Sequence, residues 1–193
     1  MDSNIYSAPE AELDTVSEDE AQFYIVSPTK FWVMSLGTVG IYSVYWFYRH
    51  WAEYQRASGE NMWPVMRAIF SIFFTHSLFS RIQSRIEIDK VDYRWVPALW
   101  ATLYVVFAIA GAIVDRISYY SDVISLIDIV SILLLPFTLW PLYEGQKAAN
   151  MVNGDISGQA NSRFTPWNFV WLAVGAVFWG VGILGAYYLL GNV

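Results

Sequence analysis

Residues 95–114 form a run of twenty without a single charge, bounded by Arg94 and Asp115. A helix of that length rises about 30 Å, the thickness of the hydrocarbon core of a bilayer. Backbone polar groups in hydrocarbon must be satisfied within the segment, so the run predicts a spanning α-helix. Only residues 115–121 separate it from the next apolar block, 123–143, which therefore returns antiparallel as a tight helical pair. Pro136 and Pro141 are expected to kink the far half of that block. Pro166-Trp167 opens a last span that runs to Leu190, with Gly175, Gly182 and Ala186 on one side. Ala108, Gly111 and Ala112 offer a similar small-residue face on the first span.

An earlier block, 31–48, is eighteen residues between Lys30 and Arg49. It would rise about 27 Å as one helix, barely enough to cross. Gly37, Thr38 and Gly40 sit near its middle, so it reads either as a span with a weak point or as a re-entrant hairpin. The fold class that follows is all-α: a polytopic membrane protein of about four spanning helices with amphipathic interfacial helices. Composition agrees, with 56% hydrophobic and 15% charged residues, against about 25% charged in a soluble domain. Ten Trp and thirteen Tyr gather mostly at block ends, where amphipathic rings suit the headgroup region.

The formal charge of −6 is unevenly placed. Seven of the seventeen acids lie in the first twenty residues, whereas all eleven Lys and Arg lie from Lys30 onward. Residues 1–28 therefore read as an acidic, disordered tail, and 29–193 as the helical membrane domain. Within the tail, 23–26 is a short apolar run ended by Ser27-Pro28, expected as an extended segment at the interface. The start of the chain lacks the basic and apolar regions of a cleavable signal, so insertion is expected from an internal helix. The absence of Cys excludes disulfides and thiolate metal sites.

Two further stretches read as amphipathic. Residues 46–58 place Arg49, Glu53 and Arg56 on one face, with Gly59 fitting a C-terminal cap. Residues 65–86 put Arg67, Ser71, Thr75, Arg81 and Arg85 on one side, and Ile69, Ile72, Phe73, His76 and Phe79 on the other. Phe74, Leu78 and Ile82 interrupt the basic side, and Ser80 and Gln83 the apolar one. Such a helix lies on a membrane surface or lines a bundle, and the surface is preferred because it collects the cations on one side. Arg49, Arg56, Arg67, Arg81, Arg85, Lys90, Arg94, Lys147 and Arg163 then share the cytosolic face, leaving Lys30 and Arg116 for the other. A weak internal duplication accompanies this. Tyr45-Trp46, then Ser58-Gly59-Glu60 and Trp63-Pro64, is echoed by Trp140-Pro141, Asn153-Gly154-Asp155 and Pro166-Trp167.

Lys30-Phe31, Ser35-Leu36-Gly37-Thr38-Val39-Gly40-Ile41-Tyr42 and Tyr45-Trp46-Phe47-Tyr48 with Trp51 resemble the signature of a family of small bacterial membrane proteins classed only as a domain of unknown function. The resemblance implies a multi-pass protein of the bacterial cytoplasmic (inner) membrane. It implies no activity.

Asp128 lies about five residues inside the second span of the pair, where an ionised carboxylate costs up to roughly 2.5–3.5 kcal/mol. Ser121 and Ser125 share its helix face. The functional reading is a polar path of Asp128, Ser125, Arg67, Ser71, Thr75, Asn150 and Asn153; the plain one is a carboxylate near the interface, paired with Arg116. His76 reads as a packed histidine donating to a carbonyl, and His50 has no carboxylate at ligand spacing, so no metal site is expected. Arg81, Arg85 and Arg94 are candidate lipid headgroup contacts, with Lys90 beside them and Glu87, Asp89 and Asp92 interleaved. No catalytic constellation or cofactor motif is present, and the short basic stripe does not fit nucleic acid. The expectation is a non-enzymatic envelope or accessory component, with the bilayer, a second copy or a membrane complex as partner. The alternative is a small transporter or channel through Asp128.

Overall fold

Proline at N1 and glycine past the last turn punctuate this chain where helix chemistry requires them. The computed structural model describes residues 22–120 and 126–191, with side chains described for 22–120 and 130–188. The described residues form seven α-helices and no strand: α1 Pro28–Gly37, α2 Tyr42–Ser58, α3 Pro64–Ile69, α4 Ser71–Ile88, α5 Pro97–Tyr119, α6 Leu126–Val152 and α7 Pro166–Gly191. Pro28, Pro64 and Pro97 open α1, α3 and α5, where a missing N–H costs nothing. Gly59 closes α2 in the left-handed conformation, as the sequence predicts.

The block 31–48 is not one helix. Its first part, α1, is ten residues long, about 15 Å and too short to cross a bilayer. A turn at 38–41 follows, with Val39 and Gly40 at φ 52° and 82°. Thr38 fastens the turn: its hydroxyl donates to the Met34 carbonyl at 2.7 Å and accepts from the Tyr42 N–H at 3.0 Å. The chain then doubles back, bringing the Phe31 and Trp46 rings within 6.3 Å.

α5 and α6 are antiparallel. Phe107 meets Phe137 at 5.9 Å, and the Ser131 hydroxyl donates to Asp115 near the turn. α6 runs helical through both Pro136 and Pro141. α7 crosses the tip of the α1–α2 hairpin. A Cβ on Gly175 would lie 1.9 Å from the Gly37 carbonyl oxygen, so only glycine permits this approach. The face with Gly175 and Gly182 is thus the packed face of α7; that with Gly111 on α5 is not, since nothing lies within 4 Å of a Cβ there.

The stretch 65–86 is two helices, broken at Phe70 (φ −96°, ψ 37°) without a glycine or proline to mark the place. The expected apolar side is also rotated. α4 buries Thr75, Leu78, Phe79, Ile82 and Ile86, while Ile69 and Phe73 are 59% and 77% exposed. Leu78 and Ile82 win because they are aliphatic and three and four residues from Thr75, Phe79 and Ile86, which completes an i, i+3, i+4 stripe. That stripe packs α4 into the bundle: Phe79 meets Trp95 at 5.2 Å and fits against Gly145.

The core is built around α2, α4 and the second half of α6. It gathers Trp46, Phe47, Trp51, Leu78, Phe79, Leu139 and Leu142, all essentially inaccessible. Residues 22–27, part of the expected tail, run extended into this core with Phe23 and Val26 fully buried.

Candidate functional site

α6 carries Gln146 and Asn150 at i and i+4, and Asn153 follows at i+7 just past its last residue, Val152, so the three amides fall on one side. Residues 22–27 lie against that face. Having no neighbouring strand, their backbone needs other partners, and the amides supply them. Gln146 Nε2 donates to the Tyr24 carbonyl at 2.9 Å and to Asn150 Oδ1 at 2.7 Å. Asn150 Nδ2 donates to the Val26 carbonyl at 3.0 Å. Asn153 accepts from the N–H groups of Gln22 and Phe23 at 2.9 and 3.4 Å and donates back to the Phe23 carbonyl at 2.7 Å.

The remaining atom of the Gln146 amide fixes a tautomer. Oε1 accepts from Trp46 Nε1 at 2.5 Å and lies 3.2 Å from His50 Nε2. An amide oxygen cannot donate, so His50 carries its proton on Nε2. Its Nδ1 is buried with no partner among the described residues. Burial of the fully enclosed ring pushes its pKa down to about 3, so the imidazole is neutral.

On the outer side of the same segment is a polar cleft of about 400 Å³. Lys30, Arg49, Glu53 and Arg56 line it, with Asn161 from the segment before α7 and Asn168 from the first turn of α7. Lys30 Nζ donates to Asn161 Oδ1 at 2.6 Å and to the Arg163 carbonyl at 2.7 Å. Burial lowers its pKa. Glu53 is shared between two guanidiniums, Arg49 at 2.5 Å and Arg56. Arg49 also lies over the Tyr24 ring at 5.0 Å. Among the described residues, Lys30, Arg49 and Arg56 share this cleft with the Glu53 carboxylate.

Beside the cleft an apolar groove of about 630 Å³ runs between α2, α3 and the start of α7. Met34, Val44, Tyr48, Ala68 and Trp171 form its walls.

The described members of the expected polar path fall in two separate groups. Asn150 and Asn153 are committed to the backbone of 22–27. Arg67 lies over the Trp51 ring at 4.3 Å, the Ser71 and Tyr104 hydroxyls are 2.9 Å apart, and the buried Thr75 hydroxyl donates to the Ser71 carbonyl at 2.6 Å. Among the described residues no hydrogen bond joins the two groups. Ser125 lies outside the described residues; Asp128 belongs to α6, but its side chain lies outside them too. Of the expected headgroup contacts, Arg81 pairs with Glu60 at 2.6 Å and Arg85 with Asp89 at 2.7 Å, while Arg94 is exposed. Arg81 and Tyr54 hold the Glu60 carboxyl below its ordinary pKa.

The packed histidine is not the one the sequence suggested. His76 is exposed and 3.1 Å from the Thr102 hydroxyl, and His50 is the packed one. Sequence reasoning also missed Gln146 and Lys30, although an amide at i−4 from Asn150 was a legible signal. No group of metal-ligating side chains occurs among the described residues.

No family model matches the chain, and no curated protein or solved structure matches it.

Proposed function

We infer that this chain is an integral membrane protein with three spanning helices, α5, α6 and α7, and one re-entrant hairpin, α1–α2. One observation carries the reading. Pro97–Tyr119 and Pro166–Tyr188 are each long enough to cross a bilayer, with a mean hydropathy of 2.0, and only 11% of each apolar window is buried by the rest of the chain. A soluble core helix would be covered, whereas these expose Ile113, Val177, Phe178 and Val181 at more than half of their surface. Contiguous apolar surface of that extent needs lipid.

The hairpin reading has its own support. Gly175 lies nine residues past Pro166, about 14 Å along α7 and so near mid-bilayer. The α1–α2 turn touches α7 at that depth. Both hairpin ends then share the face of the α7 N-terminus, and of the eleven Lys and Arg only Arg116 lies on the other face. That face is the cytosolic one, and the resemblance of residues 30–51 favours the bacterial cytoplasmic membrane.

The role is that of a non-enzymatic envelope or accessory component. Gly111 and Gly180 face open space on the outer sides of α5 and α7, which leaves positions for close approach by a partner helix. Transport draws less support, because the amides expected in a path serve the fold. The test is extraction: the full chain should resist alkaline carbonate and leave the membrane only with detergent. Recovery as a detergent-free soluble monomer would overturn this reading.

A further inference from the structure

The twenty residues 61–80 contain one formally charged side chain, Arg67, whereas Arg81, Arg85 and Glu87 follow within the next seven. α3 and the first half of α4 are thus apolar, and the second half of α4 is charged. We propose that α4 slopes into the cytosolic leaflet, so that α3 and the break at Phe70 lie where headgroups meet acyl chains, with Ile69, Phe70 and Phe73 against lipid. The proposal deepens the membrane reading above and rests on it, because the depth is measured from α5 and α7.

Two registers set that depth. On α5, the Tyr104 hydroxyl lies 2.9 Å from the Ser71 hydroxyl, and the Thr102 hydroxyl 3.1 Å from His76 Nε2. Thr102 and Tyr104 are five and seven residues past Pro97, about 8 and 10 Å along the span. Farther along α4, Gln83 accepts from the Trp95 indole at 2.7 Å, before α5 begins. The start of α4 is therefore its deeper end. On α7, Val65 and Ile69 share the apolar groove with Trp167 and Trp171, the latter five residues past Pro166, again about 8 Å along. Two spans that enter from the same face thus give one depth, within the roughly 5–10 Å to which interfacial helices sink.

The side chains sort as that depth requires. Val65, Met66, Ile69, Phe70 and Phe73 are all exposed, and through the groove this patch continues onto the exposed Trp167 and Trp171 of α7. That continuity with the lipid-facing side of a span selects acyl chains as the occupant. Arg67 is drawn inward instead, over the Trp51 ring at 4.3 Å with its Nη1 enclosed, which keeps the guanidinium out of hydrocarbon. The ion pairs Arg81–Glu60 and Arg85–Asp89 belong to the charged half of α4, toward water.

The test uses the full chain, which has no native Cys, in vesicles of phosphatidylcholine and phosphatidylglycerol. Phe73→Cys and Ser84→Cys each replace an exposed residue of α4. A membrane-impermeant maleimide should modify Phe73→Cys about tenfold more slowly than Ser84→Cys in vesicles, and at an equal rate in the denatured chain. A fluorophore attached at Phe73→Cys should be quenched by lipids brominated on the acyl chain, and one at Ser84→Cys should not. Ile69→Cys should match Phe73→Cys, which keeps the test open if one variant misfolds.

Equal modification at 73 and 84 in vesicles overturns the immersion. Protection at 73 without quenching means that protein, such as a second copy of the chain, covers the patch, and overturns it as well. A chain stripped from the vesicles by alkaline carbonate refutes the membrane reading instead, while one that stays inserted with Phe73→Cys open to water refutes only the immersion.

Discussion

His50 on α2 and Gln146 on α6 meet through a single hydrogen bond, with the histidine Nε2 donating to the amide oxygen at 3.2 Å. The bond joins segments almost a hundred residues apart and holds a neutral imidazole in a site closed to water. Its folded pKa is about 3 against an ordinary 6.5. Below 6.5 the unfolded chain takes up a proton that the folded chain refuses, so this contribution to stability is whole above 6.5 and is lost as the pH falls toward 3. Unfolding in detergent should show stability falling by up to ~1.4 kcal/mol per pH unit from this group. The interval 6.5–5 isolates it, because carboxylates titrate lower. His50→Gln should flatten that interval. An unchanged slope in the His50 variant would show that the ring is solvated.

Gly175 and Gly180 lie on the same helix with opposite surroundings. A Cβ at 175 collides with the Gly37 carbonyl, whereas one at 180 meets nothing within 4 Å. Gly175→Ala should therefore destabilise by about 1–3 kcal/mol through forced separation of α7 from α1. Gly180→Ala should be neutral or gain up to ~1 kcal/mol from helix propensity. Of the two variants, unfolded in parallel in one detergent, only Gly175→Ala should lose stability. Matching responses would mean that α7 does not pass this close to the hairpin.

Asn153 serves three backbone groups of residues 22 and 23. Asn153→Ala leaves them without these bonds, at a cost of about 1–3 kcal/mol for each that stays buried. The loss should be local. Hydrogen exchange at residues 22–27 should accelerate while α5 and α7 keep their protection. If exchange rises equally everywhere, the segment is an integral part of the cooperative core rather than a strap docked upon it.

The long apolar helix α5 was legible because twenty uncharged residues in a row admit one continuous helix. Gly59 was legible too, since a cap is a local event. What escaped was chosen by contacts distant in sequence. The strap needs Gln146 and Asn150 to recognise Tyr24 and Val26, pairs more than a hundred residues apart. Nothing within 22–27 announces that. On α4 the charged and aromatic residues nearly balance around the wheel, so the neighbours Trp95 and Gly145 decided which side is buried. Gly37 and Gly40 did signal a weak point in 31–48. The break became definite only through the Thr38 side chain, whose two backbone bonds no periodicity reveals.

The hairpin makes the strongest demand on topology. If α1 and α2 re-enter, the exposed Thr29 before the hairpin and the exposed Ser58 after it lie on the same side of the membrane. Arg85 and Lys147 should join them, and Tyr119, at the far end of α5, should lie opposite. The native chain has no Cys, so single substitutions report without background. A membrane-impermeant thiol reagent applied to sealed inside-out vesicles should label Thr29→Cys, Ser58→Cys, Arg85→Cys and Lys147→Cys, and spare Tyr119→Cys. Right-side-out vesicles should reverse the pattern. Labelling of Thr29→Cys and Ser58→Cys from opposite compartments would make residues 31–48 a span. The Gly37–Gly175 contact could not then survive insertion, because one ten-residue helix and a turn fall well short of the second surface.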